Sequence, residues 1–144
     1  MASSAKLRGV VFDHPEVAVE AEARVEAAGL SDRCRVVSGS FFDAVPTGGD
    51  MYLLAKVLHD WDDAAAIRIL GTVRAAAPHH ARLLVIDSVV PAGNAPHPSK
   101  ALDLVILSLV NGRERGEDEW TQLLEVSGFR LVSISDGLVQ AALK

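Results

Sequence analysis

At 144 residues, with 49% hydrophobic and 23% charged positions, the chain carries enough apolar material for one globular core and reads as a single domain, residues 1–144. Its formal charge of −5, with no basic stripe, excludes a nucleic-acid backbone as partner and leaves a small neutral or weakly acidic ligand. The longest apolar stretch, residues 101–110, is interrupted by Asp103 and is too short for a bilayer, and residues 1–6 are small and polar with no signal-type core, so a cytoplasmic location without membrane contact is expected.

Residues 7–12 form a Val-rich run ending on Asp13, as a buried parallel strand ends at its functional edge. Over residues 15–28 the apolar Val17, Ala21, Val25 and Ala28 recur at helical spacing among glutamates, and Gly29 stops the helix. The single cysteine, Cys34, precedes the next short strand, residues 35–38, and is expected as inert core packing. A third strand is predicted over residues 50–55. A helix follows over 64–76, capped by Asp62 or Asp63 and ended by Pro78. The clearest strand pattern is residues 82–89. After it come a Pro/Gly/Asn loop at 91–98, an apolar helix over 99–110 and a short helix over 117–127. Strands at 129–135 and 138–143 flank Asp136-Gly137, a two-residue hairpin signal. Strands alternating with helices imply an α/β fold with a mainly parallel sheet, made mixed by the closing hairpin.

In such sheets ligands bind beyond the carboxyl ends of the strands, which directs attention to Asp13, residues 40–43, residues 56–62 and Asp87. A carboxylate at the position of Asp13 can accept the hydroxyl hydrogens of a ribose; it can equally cap the helix that begins at Pro15. His59, within Leu58-His59-Asp60-Trp61, can take a proton from a hydroxyl near neutral pH if Asp87 or Glu114 orients it, or it is a loop residue bonded to backbone. His79, His80 and His97 lie beside prolines or turns and are expected to face solvent. One cysteine and no His-x-x-x-His spacing argue against a metal site, and neither a Gly-x-Ser-x-Gly elbow nor a Walker loop is present.

Four motifs in order carry a resemblance: Gly9-Val10-Val11-Phe12-Asp13-His14-Pro15-Glu16-Val17, Gly39-Ser40-Phe41-Phe42-Asp43, Tyr52-Leu53-Leu54-Ala55-Lys56-Val57-Leu58-His59-Asp60-Trp61 and Gly112-Arg113-Glu114-Arg115. With these the chain resembles, from about Leu7 onward, the bacterial and plant S-adenosylmethionine-dependent O-methyltransferases acting on phenolic natural products. The resemblance implies a Rossmann-like mixed sheet of the class I methyltransferase type, with S-adenosylmethionine as cofactor and no metal. It places the cofactor ribose at Asp13 with His14 adjacent, the adenine at Ser40 and Phe41 with Trp61 near it, and the general base at His59 between the carboxylates Asp87 and Glu114. The implied reaction is methyl transfer to a hydroxyl of an aromatic or polyketide small molecule, the base removing the proton as the oxygen attacks the sulfonium methyl.

Three positions depart from the family pattern: Ser40 replaces an adenine-contacting Asp, Asp87 replaces a Glu, and Gly116 replaces a helix-capping Thr. Loss of the acid at Ser40 is worth about 1–3 kcal/mol of cofactor binding if that contact is buried. The family's N-terminal dimerising helical domain, and the first strand with its Gly-rich loop, have no counterpart in these residues. In the family that strand lies centrally in the sheet, so a homo-oligomer, such as a dimer, formed through exposed sheet edges is expected. The alternative reading is a non-catalytic, truncated homologue acting through self-association or partner binding; a third is a pocket turned to another reaction or to binding an aromatic ligand.

Overall fold

The computed structural model describes residues 6–110 and 112–144, which fall into two compact units, Met1–Thr47 and Gly48–Lys144. In the first, β1 (Gly9–Asp13) pairs in parallel with β2 (Cys34–Ser38), from Gly9 opposite Cys34 to Asp13 opposite Ser38. Helix α1 (Pro15–Ala27) makes the crossover. Proline fits its first position because the missing N–H would have no helical partner there. The helix stops where Gly29, at φ +64°, takes a left-handed conformation that strains other residues. Its one fully buried residue is Ala18, whereas Val17 is 47% exposed. The inward stripe thus runs through Ala18, Ala21 and Val25, one position away from the predicted start at Val17. Cys34 is a buried free thiol.

The second unit opens with β3 (Met51–Ala55), a 3-10 turn (Leu58–Asp60) and α2 (Asp63–Ala76). Asp62 caps α2, its Oδ1 accepting from the Ala65 N–H at 2.8 Å. Then follow β4 (Arg82–Ile86), β5 (Val89–Val90), α3 (Pro98–Val110), β6 (Arg115–Gly116), α4 (Glu117–Val126), β7 (Phe129–Ser135) and β8 (Leu138–Leu143). The main sheet has the order β3-β4-β8-β7, with β3 and β4 parallel and the remaining pairs antiparallel. Strands β3 and β7 are its edges. The core is built from Ile69, Leu70 and Val73 of α2, Trp120 and Leu124 of α4, and Leu83, Val85, Phe129 and Val139 of the sheet. Asp136 and Gly137, at φ +46° and +78°, close the hairpin in the left-handed geometry that two-residue turns require.

The structure moves the first strand from residues 7–12 to Gly9–Asp13, shortens the fourth, and adds β5, β6 and the 3-10 turn. The strand expected over residues 82–89 ends at Ile86: the Asp87 N–H donates to Gly137 O at 3.0 Å, and Val89–Val90 leave the main sheet to pair with Arg115–Gly116. Strand β6 and the 3-10 turn are too short to carry a hydrophobic period. At Gly116, the N-cap of α4, no side chain caps the helix, but Glu119 Oε2 accepts the Gly116 N–H at 2.8 Å, preserving the reciprocal half of a capping box. Among the described residues no helix is long and apolar enough to cross a membrane.

Candidate active site

In the first unit the carboxyl ends of the parallel pair gather Asp13, His14, Ser40 and Phe41. Asp13 is the last residue of β1 and half-buried, and its Oδ1 accepts the His14 N–H at 2.7 Å. The helix cap falls on His14, without a side-chain bond, so the helix-cap reading of Asp13 does not hold. After β2, Gly39 packs so closely on Phe12 that a Cβ there would sit 2.8 Å from its ring. That contact turns the chain toward Ser40, whose Oγ accepts the Phe42 N–H at 3.2 Å. The Phe41 ring stands edge-on to His14, at 6.1 Å, and to Phe42, at 5.1 Å.

In the second unit Lys56, two residues before the His59 turn, adopts φ +55°, a strained conformation, as the chain leaves β3. Leu58 is fully buried and pins the turn. Behind it lies Gly112, where a Cβ would meet His59 O at 2.1 Å, and the Arg113 N–H donates to that same carbonyl at 2.9 Å. This approach requires glycine at 112. The His59 side chain is 12% exposed, with Nδ1 at 3.2 Å from Glu114 Oε1 and 3.9 Å from Asp87 Oδ1. Nε2 lies 3.5 Å from Asp60 Oδ1, whose side chain is 44% exposed. An ionised carboxylate only accepts, so the shorter contact, to Glu114, favours the tautomer with the proton on Nδ1 and a lone pair on Nε2, over the longer one that Asp60 offers to Nε2. The structure therefore brings His59, Asp87 and Glu114 together, with Glu114 in hydrogen-bond range and Asp87 outside it. Trp61 ends the turn in extended backbone and is half-buried.

Asp87 is 1% exposed, and neither of its carboxylate oxygens finds a hydrogen-bond partner among the described residues. Burial, the dominant cause, raises its pKa from 3.8 to about 6, and attraction to His59 and Lys56 offsets part of that rise. The folded state therefore holds the Asp87 proton more tightly than the unfolded chain. The stability this contributes is complete below pH 3.8 and is lost as pH rises through 6. Asp87→Asn, neutral at every pH, should accordingly be more stable than the parent at pH 7.5 by about 2–3 kcal/mol, with the gap closing toward pH 4. Urea unfolding at the two pH values checks this; a less stable variant at pH 7.5 would mean that the charge is favourable where it lies.

Several residues of this site have roles that the sequence does not assign. Arg115 is 1% exposed. Its guanidinium donates to Leu58 O and Trp61 O, each at 2.9 Å, and to Asp63 Oδ1 at 2.9 and 3.0 Å, while lying 5.6 Å over the Trp120 ring. It thereby clamps both ends of the His59 turn to the start of α2. Asp103, on α3, accepts the Glu114 N–H at 2.7 Å. An open cleft of about 920 Å³ includes Asp87 in its wall, along with Lys56, Val89, His97, Ser99 and Gly137. His79, His80 and His97 are exposed; His80 Nε2 lies 2.8 Å from Asp50, and His97 Nδ1 accepts the Ser99 N–H at the start of α3.

The described geometry has close counterparts. The chain is 46% identical over 129 residues to the phenazine O-methyltransferase PhzM of Lysobacter antibioticus, a match over 90% of this chain and 38% of that protein. It superposes on the crystal structure of LaPhzM with a TM-score of 0.92 at 43% identity, covering 99% of this chain and 44% of that one. It also superposes, with a TM-score of 0.86 at 36% identity over 96% of this chain and 42% of the other, on NcsB1, an O-methyltransferase from neocarzinostatin biosynthesis solved with S-adenosyl-L-homocysteine and 1,4-dihydroxy-2-naphthoic acid. The chain thus spans less than half the length of these relatives. The family model described as an O-methyltransferase domain matches residues 3–130, and the chain belongs to that family.

Proposed function

We propose that this chain serves S-adenosylmethionine-dependent methylation of a hydroxyl on an aromatic or polyketide small molecule, with His59 as general base. The observation that carries the proposal is the His59–Glu114 pair. A buried carboxylate 3.2 Å from Nδ1 holds the imidazole in the tautomer whose Nε2 can take a hydroxyl proton, and it stabilises the positive charge the ring then gains. The fully buried Asp87 side chain, 3.9 Å from the same nitrogen, adds to the negative potential on that side of the ring.

The residues at the end of the β1–β2 pair suit an adenosine group. Asp13 offers a carboxylate to ribose hydroxyls, its rotamer fixed by the His14 N–H. Phe41 offers a ring face or edge to adenine, and Ser40 a hydroxyl where the family has a carboxylate. We assign His14 to the same pocket. When bound, S-adenosylmethionine supplies an electrophilic methyl group on a sulfonium. The chain's own part is to orient the acceptor hydroxyl, accept its proton at Nε2 and exclude water from the reacting pair.

Calorimetric titration with S-adenosylhomocysteine tests the cofactor assignment. Micromolar binding, weakened about 10-fold or more in Asp13→Ala, is expected for a carboxylate bonded to ribose. Absence of binding in the parent chain would leave the association reading, in which the edge strand β3, with Met51 57% and Leu53 56% exposed, recruits a second copy.

A further inference from the structure

Asp103 is the only charged residue from Ala101 to Val110, on a helix whose Leu104, Leu107 and Leu109 are more than half exposed. Aspartate is a poor helix former in a helix interior, and half-burying it beside apolar neighbours has a desolvation cost. Among the described residues its compensation is a contact eleven residues ahead: Oδ1 accepts the Glu114 N–H at 2.7 Å, the short distance of a charge-assisted bond. That N–H belongs to the residue whose side chain meets His59. It also precedes β6, which begins at Arg115 and pairs over Val89–Arg115 and Val90–Gly116 alone, so the strand ladder does not hold Glu114 itself.

We propose that Asp103 is a positioning residue for the His59–Glu114 pair. By fixing the main chain at Glu114 it places Oε1 on His59 Nδ1 and so selects the ring tautomer, without touching the ring. The arrangement is complementary to the Arg115 clamp. Arg115 holds the carbonyls on either side of His59, whereas Asp103 holds the backbone that carries its carboxylate partner. This inference rests on the reading of His59 as the base. It is nevertheless tested by the state of the ring in the protein without ligands, so its failure is distinct from a failure of that reading.

The experiment is nitrogen NMR of the His59 ring in the parent and in two variants. Asp103→Asn keeps an acceptor oxygen at the same place; Asp103→Leu removes it and suits an apolar helix. The parent and Asp103→Asn should show the proton mainly on Nδ1. In Asp103→Leu the ratio of the Nδ1-H to the Nε2-H form should fall at least about fivefold, as expected when a hydrogen bond to a charged group ceases to constrain the pair. A ring spectrum of Asp103→Leu identical to the parent's would overturn the proposal and reduce Asp103 to a local helix contact. Should Asp103→Leu fail to fold, Asp103→Ala replaces it in the same measurement. Amide exchange at Glu114 in the parent supplies an independent check, because exchange as fast as at exposed loop amides would show that the Asp103 bond is not held.

Discussion

His59→Gln should lower the turnover of methyl transfer by about 10²–10⁴-fold while leaving S-adenosylhomocysteine affinity and thermal unfolding near parental values. The expectation follows from the division of the imidazole between its two nitrogens. In the proposed reading Nδ1 faces Glu114 at 3.2 Å and proton abstraction falls to Nε2, and an amide at that place has no comparable basicity. The His59 side chain is only 12% exposed, but glutamine fills a similar volume and keeps a polar end beside Glu114, so the fold should survive the change. Initial rates with a panel of hydroxylated aromatics, read beside the binding titration, make the check. Turnover within twofold of the parent, with cofactor bound, would remove His59 from proton transfer altogether.

Arg115→Ala should destabilise the chain by about 2–4 kcal/mol, because a fully buried side chain is removed together with its hydrogen bonds to two carbonyls. Here the loss has three physical parts. The carbonyls of Leu58 and Trp61 lose the guanidinium as donor, the Asp63 carboxylate keeps only its contact with Arg113, and a void opens over the Trp120 ring, whose buried Nε1 has no hydrogen-bond partner among the described residues. Urea denaturation followed by tryptophan fluorescence reads the change directly. Arg115→Lys should recover only a minor share, because one ammonium cannot span two carbonyls and a carboxylate that the planar guanidinium reaches at once. A loss below about 1 kcal/mol in Arg115→Ala would show that the turn is held by its packing, Leu58 above all.

Secondary structure was readable wherever a period or a turn residue carried it. Gly29, the Asp62 cap and the Asp136-Gly137 turn mark boundaries by backbone chemistry that depends on near neighbours, and their elements end where the sequence indicates. The end of β4 depends instead on a distant partner. Val89 is as good a strand former as Ile86, but Arg115 and Gly116 capture it, and nothing local announces that pairing. The same contrast divides the site. His59, Asp87 and Glu114 are visible as residues able to move or orient protons, and the motif resemblance singles them out. Arg115 stands in a motif without an assigned role and Asp103 reads as an interruption, because burial and partners 11 or more residues away give them their roles. Gly112 is similar: its need for a bare Cα comes from the His59 carbonyl against which it packs.

The two carboxylates beside His59 are anchored in backbone of unequal permanence. Asp87 follows β4, which is hydrogen-bonded on both edges, by β3 and by β8, and central strands open only with the whole domain. Glu114 lies outside the main sheet, between the Arg113 N–H bond to His59 O and the two-residue ladder and guanidinium of Arg115, with one side-chain acceptor from α3. Brief excursions of the kind that expose a few amides would therefore release Glu114 long before Asp87, leaving the imidazole beside an acid that holds its proton up to about pH 6. In those moments the ring would be free to exchange tautomers without any unfolding of the sheet beneath it.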